Sequence, residues 1–401
     1  MKRKILGVFL LLIASGLILF AAYWNSNLRQ VPLVFSQKSM IEGLWHSYKL
    51  DSVEPSTGRV IDTEKDGSTT SEGQSYVLLR AAWMDDKQTF DQSWDWTRRI
   101  MGRPTDHLFA WLFGKRADGS FGIVTAQGGQ NTASDADSDI ALALLMANAR
   151  WKDDAYLTSA KAIISDIWQQ EVVMIGTTPY LAADNVEKSS TQSFIVVNPS
   201  YISPAAYAIF AKVDPAHDWK GLRDSSYRLL QSALTLPLDK KKSAGLPPDW
   251  VGVDRVTGRV FSISATEKDL TTNYSFDAMR VPWRLALDWQ WYHDPRDKAL
   301  LDQMAFLGDA WKSRATLLAS YAHDGQSLYD YESPAFYGAS IGYFIVSQPA
   351  IAPDVYREKL LWLYNPDDES WKQPLGYYDS NWAWFGLALY SHDLPNLVNR
   401  N

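Results

Sequence analysis

Carboxylate side chains stand where three apolar helical runs begin. Glu72 lies in Thr-Thr-Ser-Glu-Gly-Gln-Ser-Tyr, residues 69–76, Asp135 opens a second run, and Asp277 precedes a third. Carboxyl groups placed in this way can give and accept protons, as general acid–base catalysis requires. Any one of them also fits as a helix cap, because an acidic group satisfies free N–H groups and meets the positive end of the helix dipole. Three such groups on one face of a molecule favour chemistry over capping.

The sequence does not contain the residues that a calcium-binding loop, a His- or Cys-based metal site or a nucleotide site would need. The spacing Asp135-x-Asp137-x-Asp139 is similar to the start of a calcium-binding loop, but the sixth position is Ile140 and the twelfth is Met146. A loop of that kind needs Gly and Glu at these two positions. The six histidines show no metal-ligand spacing, and the chain has no cysteine, phosphate loop or dinucleotide fingerprint. We therefore expect carboxylate chemistry without a metal or another cofactor.

The composition indicates a globular protein, and the net charge favours a neutral ligand. The chain has 401 residues, of which 46% are hydrophobic and 21% charged, and its formal net charge is −7. No stripe of Lys and Arg is present to neutralise phosphates, so nucleic acid is not an expected partner. With no cysteine, disulfides are excluded and stability must come from packing.

Helical periodicity dominates the chain, and no alternating pattern is long enough for a sheet core. The predicted helices cover residues 39–48, 71–84, 87–101, 134–150, 153–169, 202–212, 217–235, 274–292, 295–312, 333–348, 352–365 and 378–391. Short linkers with Asp-Asp, Asp-Pro or Ala-Pro turn signals alternate strictly with long ones. Such alternation indicates helical hairpins whose tight turns gather at one end and whose long loops gather at the other.

The hairpins predict an all-α fold, an (α/α)6 barrel with six inner and six outer helices. The segment 134–150 is apolar nearly all round, as an inner helix should be, whereas 153–169 carries apolar residues on one side only. A helical solenoid is the alternative, although no internal repeat supports it. Each inner helix begins where a long loop ends, so residues at those starts converge on one mouth. Besides the three carboxylates, the mouth should hold Asp137, Asp139, Tyr201, Arg280, Tyr337, Tyr377 and Tyr378.

The N-terminus differs in kind from the rest. Residues 2–4 are basic, and an uncharged apolar run follows from Ile5 to about Trp24. A helix of that length spans a bilayer core of roughly 30 Å. We expect a transmembrane signal-anchor over residues 1–24, a connector over 25–38 and a catalytic domain over 39–401, outside the cytoplasm of a bacterial cell. A cleaved signal peptide, leaving a secreted or periplasmic protein, is the alternative.

Six motifs in order resemble glycoside hydrolase family 8. They are Thr-Thr-Ser-Glu-Gly-Gln-Ser-Tyr (69–76), Ala-Trp-Leu-Phe-Gly-Lys (110–115), Ala-Ser-Asp-Ala-Asp-x-Asp-Ile-Ala (133–141), Asn-Pro-Ser-Tyr (198–201), Pro-Asp-Trp-Val (248–251) and Asp-Ala-Met-Arg (277–280). The likeness runs from about residue 40 to 390 and is nearest to the endoglucanases that accompany bacterial cellulose synthesis. The fold of that family is an (α/α)6 barrel.

The resemblance implies inverting hydrolysis of β-1,4 glycosidic bonds. It makes Glu72 the general acid, Asp277 the base that activates water, and Asp135 the residue that binds and distorts the sugar. A helix N-terminus lowers a carboxyl pKa, whereas an acid must keep its proton near neutral pH, and we expect anionic Asp135 to offset that effect. The resemblance further implies that sugar subsites are lined by Trp111, Tyr201, Tyr377 and Tyr378, with Arg280 beside the base.

Several functions remain open at this point. The leading hypothesis is an endo-β-1,4-glucanase with a polysaccharide or oligosaccharide substrate, held at the membrane and associated with a glycan synthase in exopolysaccharide synthesis or processing. A family relative that cuts xylan, xylo-oligosaccharides, mixed-linkage glucan or chitosan is the enzymatic alternative. A non-catalytic glycan-binding or assembly factor is the alternative of another class. Retention of Glu72, Asp135 and Asp277 together argues against the last, because binding alone requires no acid and base.

Overall fold

The computed structural model describes residues 36–239 and 241–399. The chain divides after Met40 into a first unit, of which residues 36–40 are described, and a second unit that starts at Ile41 and holds the fold. The predicted anchor over residues 1–24 and nearly all of the connector lie outside the described residues. Within the described part, no helix combines the length and the apolar character needed to cross a membrane.

The fold is predominantly helical. Its α-helices within the described residues are α1 Gln37–Ser52, α2 Ser71–Trp83, α3 Lys87–Trp96, α4 Ser134–Trp151, α5 Asp154–Gln170, α6 Asn185–Ser189, α7 Pro204–Val213, α8 Trp219–Thr235, α9 Arg280–Tyr292, α10 Pro295–Gln303, α11 Ala305–Arg314, α12 Pro334–Ser347, α13 Ala352–Val355 and α14 Tyr377–Tyr390. One outer position is shared by α10 and α11, and α13 continues into a π-helical turn, Tyr356–Leu360.

Six helices form an inner ring: α2, α4, α7, α9, α12 and α14 pack in that order, each against the next. The ring closes where Arg80 of α2 donates a hydrogen bond of 3.0 Å to Asn381 of α14. Helix α4 is buried on every side from Ser134 to Ala147, whereas α5 buries one stripe only. The predicted (α/α)6 architecture and the inner and outer roles of α4 and α5 are confirmed.

Tight turns join the inner helices α2, α4, α7, α9 and α12 to the outer helices that follow them. Lys152 and His293 end their inner helices in the left-handed conformation, with φ of 58° and 51°. An aspartate then caps the outer helix, since Asp86, Asp153 and Asp294 each accept a hydrogen bond from a backbone N–H of the first turn. Each such cap stabilises its helix by about 1 kcal/mol. The Asp-Asp and Asp-Pro turn signals of the sequence are therefore caps.

The long loops carry short antiparallel strands that the sequence analysis did not predict. They are β1 Thr69–Thr70, β2 Leu112–Lys115, β3 Phe121–Ile123, β4 Val172–Ile175, β5 Thr178–Leu181, β6 Phe194–Val197, β7 Val251–Asp254, β8 Val260–Phe261, β9 Tyr364–Asn365 and β10 Ser370–Trp371. Strands β1–β2–β3 and β6–β7–β8 form three-stranded sheets, and β4–β5 and β9–β10 form hairpins. These sheets shape the loop face of the ring and do not form its core.

One predicted helix was wrong in extent. The segment predicted as helix over 274–292 is helical only from Arg280. Tyr274 is held instead in an antiparallel bridge with Tyr321, through backbone hydrogen bonds of 2.8 and 3.0 Å. Asp277 therefore lies in a turn immediately before α9 and not on an inner helix.

Candidate active site

One buried guanidinium binds three carboxylates at the loop face of the ring. Arg280, only 1% exposed, donates through Nη1 to Glu72 Oε2 and to Asp135 Oδ2, the latter at 3.1 Å. Its Nη2 donates to Asp277 Oδ1 at 2.6 Å. The Nε donates to Ser200 Oγ at 3.0 Å. The sequence analysis placed these carboxylates on one mouth, and the structure brings all three to a single cation.

Glu72 sits in the first turn of α2, and its neighbours fix that turn. Thr70 caps the helix by accepting a hydrogen bond of 3.0 Å from the N–H of Gly73. The N–H of Ser71 donates to the carbonyl of Trp111, beside the β1–β2 pairing, at 3.0 Å. A Cβ at Gly73 would lie 2.5 Å from the hydroxyl oxygen of Tyr377, so a larger residue there would displace that ring. The motif around Glu72 is thus a set of contacts that orient one carboxylate.

Asp135 opens α4 and is the most enclosed of the three carboxylates. Its side chain is 3% exposed, compared with 24% for Glu72 and 34% for Asp277. Burial raises the pKa of Asp135 to about 7, the charge of Arg280 opposes that rise, and the charge of Glu72 adds to it. The structure therefore gives a raised pKa to Asp135 itself, which the sequence analysis expected to act only as an anion beside Glu72.

Asp277 is held by a carboxylate that the sequence analysis did not select. Asp249 Oδ1 accepts hydrogen bonds from the backbone N–H groups of Ser275 at 3.2 Å and of Ala278 at 2.8 Å, on either side of Asp277. Burial, followed by the charge of Asp277, raises the pKa of Asp249 to about 7. Asp249 belongs to the Pro-Asp-Trp-Val motif, so the resemblance contained the signal, but a role for its side chain needs the turn geometry.

Other expected mouth residues serve the framework. Asp139 forms a buried bidentate ion pair with Arg284, at 2.6 and 2.7 Å. Asp137 accepts the N–H of Phe109 at 3.1 Å, and burial raises its pKa well above the usual range. Tyr337 donates to a nearby glutamate and is 2% exposed. These three residues orient loops and helices around the site without reaching its cavity.

Aromatic rings surround the carboxylates. Tyr378 lines a cavity of about 500 Å³ together with Glu72 and Asp277. Tyr377 lines the same cavity but is only 8% exposed, so it presents little surface. Tyr201 lies under the guanidinium of Arg280, with the ring centroid 5.3 Å from Cζ. Of the predicted sugar-binding residues, Tyr378 therefore shares the cavity of Glu72 and Asp277, and Tyr201 contacts the arginine that binds them.

Three cavities join into a groove. A second cavity, of about 550 Å³, is lined by Trp111, Tyr201 and Trp250, a residue that the sequence analysis did not select. A third, of about 400 Å³, shares Thr70 with the first and Trp111 with the second. Through these shared wall residues the three cavities adjoin one another beside the carboxylates, and together we call them the groove. An open groove with aromatic walls accepts a chain with apolar faces and many hydroxyl groups.

The chain is similar to glycan-cleaving enzymes across most of its length. The sequence profile described as Glycosyl hydrolases family 8 matches residues 21–318. A probable endoglucanase from Novacetimonas hansenii is 30% identical over 263 residues, which cover 65% of this chain and 70% of that protein. An endoglucanase from Escherichia coli is 33% identical over 241 residues, 59% of this chain and 60% of that protein. The chain thus spans about 60% of the Escherichia coli relative.

Solved structures share the fold. The endo-1,4-D-glucanase of Vibrio fischeri superposes with a TM-score of 0.73 at 27% identity, covering 87% of this chain and 94% of that chain. An endo-beta-1,4-glucanase from Acetobacter xylinum, 22% identical, superposes with a TM-score of 0.65 over 88% of this chain and 97% of that chain. The second likeness is a likeness of fold alone.

Proposed function

The chain belongs to glycosyl hydrolases family 8 and is a glycoside hydrolase, and from this premise we propose that it is an inverting endo-β-1,4-glucanase. In this proposal Glu72 is the general acid, Asp277 is the general base, and Asp135 binds and distorts the sugar at the cleavage point. Relatives described as endoglucanases support the substrate. The open groove supports cleavage within a polymer.

The observation that carries the proposal is the sharing of Arg280 by three carboxylates of unequal exposure. Glu72 and Asp277 both line the cavity, so each can meet a substrate or a water molecule. They bind different nitrogens of the guanidinium, Nη1 and Nη2. In an inverting hydrolase the two carboxyls stand roughly 6.5–9.5 Å apart to admit the attacking water.

The proposed reaction moves one proton at each carboxyl. Glu72 donates its proton to the glycosidic oxygen while the bond from that oxygen to the anomeric carbon breaks. A water molecule on the opposite face of the ring gives a proton to Asp277 and its oxygen to the anomeric carbon, so the configuration inverts. Glu72 ends ionised and Asp277 protonated, and exchange with solvent restores both. Arg280 supplies a fixed positive charge that keeps the three carboxylates in place.

The test is hydrolysis by two isosteric variants. Glu72→Gln removes the acidic proton and Asp277→Asn removes the base, while each keeps one hydrogen-bonding oxygen for Arg280. We expect each to lower the release of reducing ends from soluble β-1,4-glucan by at least about a thousandfold, with an unchanged circular dichroism spectrum. Rates like those of the wild type in either variant would refute the assigned role.

A substrate panel tests the specificity. Carboxymethylcellulose, lichenan, xylan and chitosan are offered to the wild type, and proton NMR follows the anomer formed first. We expect fastest cleavage of the β-1,4-glucan with release of the α-anomer. Fastest cleavage of xylan or chitosan would point to another specificity within the family, and no cleavage of any would favour a glycan-binding factor.

We further propose that residues 1–24 anchor the catalytic domain at the outer face of a bacterial membrane, where it works with a glycan synthase on newly made chains. The support is the basic start and the apolar run of the sequence. Full-length chain should remain in the membrane pellet after alkaline carbonate extraction, and a chain lacking residues 1–24 should not. A mature protein that begins after residue 24 would show cleavage instead.

A further inference from the structure

Two tyrosines lie stacked on the surface of the loop that joins α11 and α12. The ring centroids of Tyr329 and Tyr331 are 5.2 Å apart and the ring planes are inclined by 17°. The two side chains are 45% and 49% exposed, and Leu328 beside them is 43% exposed. Large apolar surface left in water is costly, and paired exposed rings are more often found where a ligand binds.

Backbone hydrogen bonds fix the loop segment that carries both rings. The carbonyl of Tyr331 accepts a hydrogen bond of 2.9 Å from Ala319, and the N–H of Leu328 donates to Ser320 at 3.0 Å. Tyr321 of the same loop is bridged to Tyr274, three residues before Asp277. The pair is thus tied through one backbone bridge to the turn that carries the proposed base. A ligand that bound there would lose little affinity to ordering of the protein.

The stacked pair lies beside the groove. Asp379, which lines the cavity that contains Glu72 and Asp277, accepts hydrogen bonds from Ser333 Oγ at 2.7 Å and from the N–H of Ala335 at 2.8 Å. Ser333 is two residues beyond Tyr331. The short segment between Tyr331 and Ser333 therefore joins the stacked pair to the wall of that cavity.

We propose that Tyr329 and Tyr331 form a distal binding site for the β-glucan chain, beyond the cavity that contains the acid and base. The C–H face of a pyranose is apolar and packs on an aromatic ring, and the phenol hydroxyls can bond sugar hydroxyls. The inference rests on the proposed function. It adds that the enzyme holds long chains more tightly than chains that end inside the cavity.

The experiment compares long and short substrates. In the Tyr329→Ala/Tyr331→Ala double variant, KM for hydroxyethylcellulose should rise about tenfold, while kcat and KM for cellotetraose stay within about twofold. Tyr329→Phe/Tyr331→Phe keeps the rings and should stay near the wild type. Asp330→Ala, which removes the exposed side chain between the two tyrosines, is the matched control and should also stay near it.

A second measurement separates failure of the site from failure of the function. Native gels containing hydroxyethylcellulose report binding without hydrolysis, and the polymer should retard the wild type more than the double-alanine variant. Equal KM values and equal retardation in a wild type that hydrolyses glucan would overturn the site alone. Absence of hydrolysis would overturn the proposed function, whereas the retardation would still decide the site. A change in sedimentation on substitution, without change in either glucan measurement, would assign the pair to self-association and refute the proposal.

Discussion

At the scale of single residues, the site depends on one cation with several fixed donors. Arg280 uses Nε, Nη1 and Nη2 toward Ser200, Glu72, Asp135 and Asp277 at once. A lysine could not reproduce this, because its single nitrogen has no planar fork. The Asn-Pro-Ser-Tyr motif has a part in the arrangement, since Ser200 Oγ donates in turn to Asn198 at 2.7 Å. Residues from four of the six motifs of the sequence therefore meet at one guanidinium.

A residue-scale prediction concerns Asp249, which binds the backbone on either side of Asp277. With a pKa raised to about 7 by burial, the Asp249 carboxyl is largely neutral at pH 6, and Asn is then its close analogue. We expect Asp249→Asn to keep most of its kcat at that pH, because an amide oxygen still accepts both N–H groups. Asp249→Ala leaves them unpaired and should lower kcat about tenfold to a hundredfold, with KM little changed.

Steady-state kinetics at pH 6 on a soluble glucan decide this prediction. Thermal melting serves as the control for folding. Equal activity of the alanine variant and the wild type would show that the turn around Asp277 needs no anchor.

At the scale of elements, backbone contact between two inner helices should be the least tolerant part of the ring. A Cβ on Gly338 of α12 would lie 2.0 Å from the carbonyl oxygen of Trp382 on α14. Because backbone cannot move aside as a side chain can, Gly338→Ala should destabilise the fold by about 1–3 kcal/mol or more in urea titration. Gly114→Ala, whose nearest neighbour is a side chain at 3.4 Å, is the matched control. Equal urea midpoints for Gly338→Ala and Gly114→Ala would contradict the close backbone contact between α12 and α14.

Helix α12 also contains a sequence pattern that is typical of a catalytic serine but lies in a different structural context. Gly338-Ala-Ser-Ile-Gly342 has the spacing of a nucleophile elbow, Gly-x-Ser-x-Gly. Ser340, however, is fully buried in the middle of α12, with the hydroxyl of Tyr274 3.1 Å away. The elbow requires a serine on a strand-to-helix turn. The glycines here serve close helix packing, and the motif carries no nucleophile.

Helix order and the carboxylates were predictable from the sequence, whereas the loops were not. The alternation of short and long linkers predicted the ring, because tight turns have local signals such as Asp caps. The turn at 275–279 has no such signal. Its shape depends on Tyr274 pairing with Tyr321 and on Asp249, which are distant in sequence. The strands of the long loops were not predicted either. Each is only two to four residues long, which is too short to show a clear alternating pattern.

At the scale of the whole molecule, buried acids set the response to pH. Burial raises the pKa of Asp135 and Asp249 to about 7, of Glu171 to about 8 and of Asp297 to about 9. Between the unfolded values near 4 and these folded values, the native state binds more protons than the unfolded chain. Stability must therefore fall as the pH rises from about 5 to 9, and chemical denaturation across that range measures it. Rising stability over the same range would contradict these pKa shifts.

Glu171→Gln isolates one of these acids. The residue is fully buried, and an amide keeps the shape of the protonated carboxyl. The free energy of unfolding of the variant should rise relative to that of the wild type as the pH rises. The gain should be about 1–3 kcal/mol at pH 9 and small at pH 5. Glu358→Gln, the same change at an exposed glutamate, should show no such divergence. A constant difference between Glu171→Gln and wild type at all pH values would assign the effect to packing.

The contacts of α14 also determine when the cavity can be completed during synthesis. Trp384 of α14 donates to the carbonyl of Ile41 at 3.1 Å across 343 positions of sequence. Tyr378 of that helix completes the cavity around Glu72 and Asp277. The ribosome therefore releases Glu72 and Asp277, the proposed acid and base, long before the helix that completes their cavity. A chain that is released or cut before Tyr377 has the proposed acid and base without the wall of their cavity, so we expect it to be inactive.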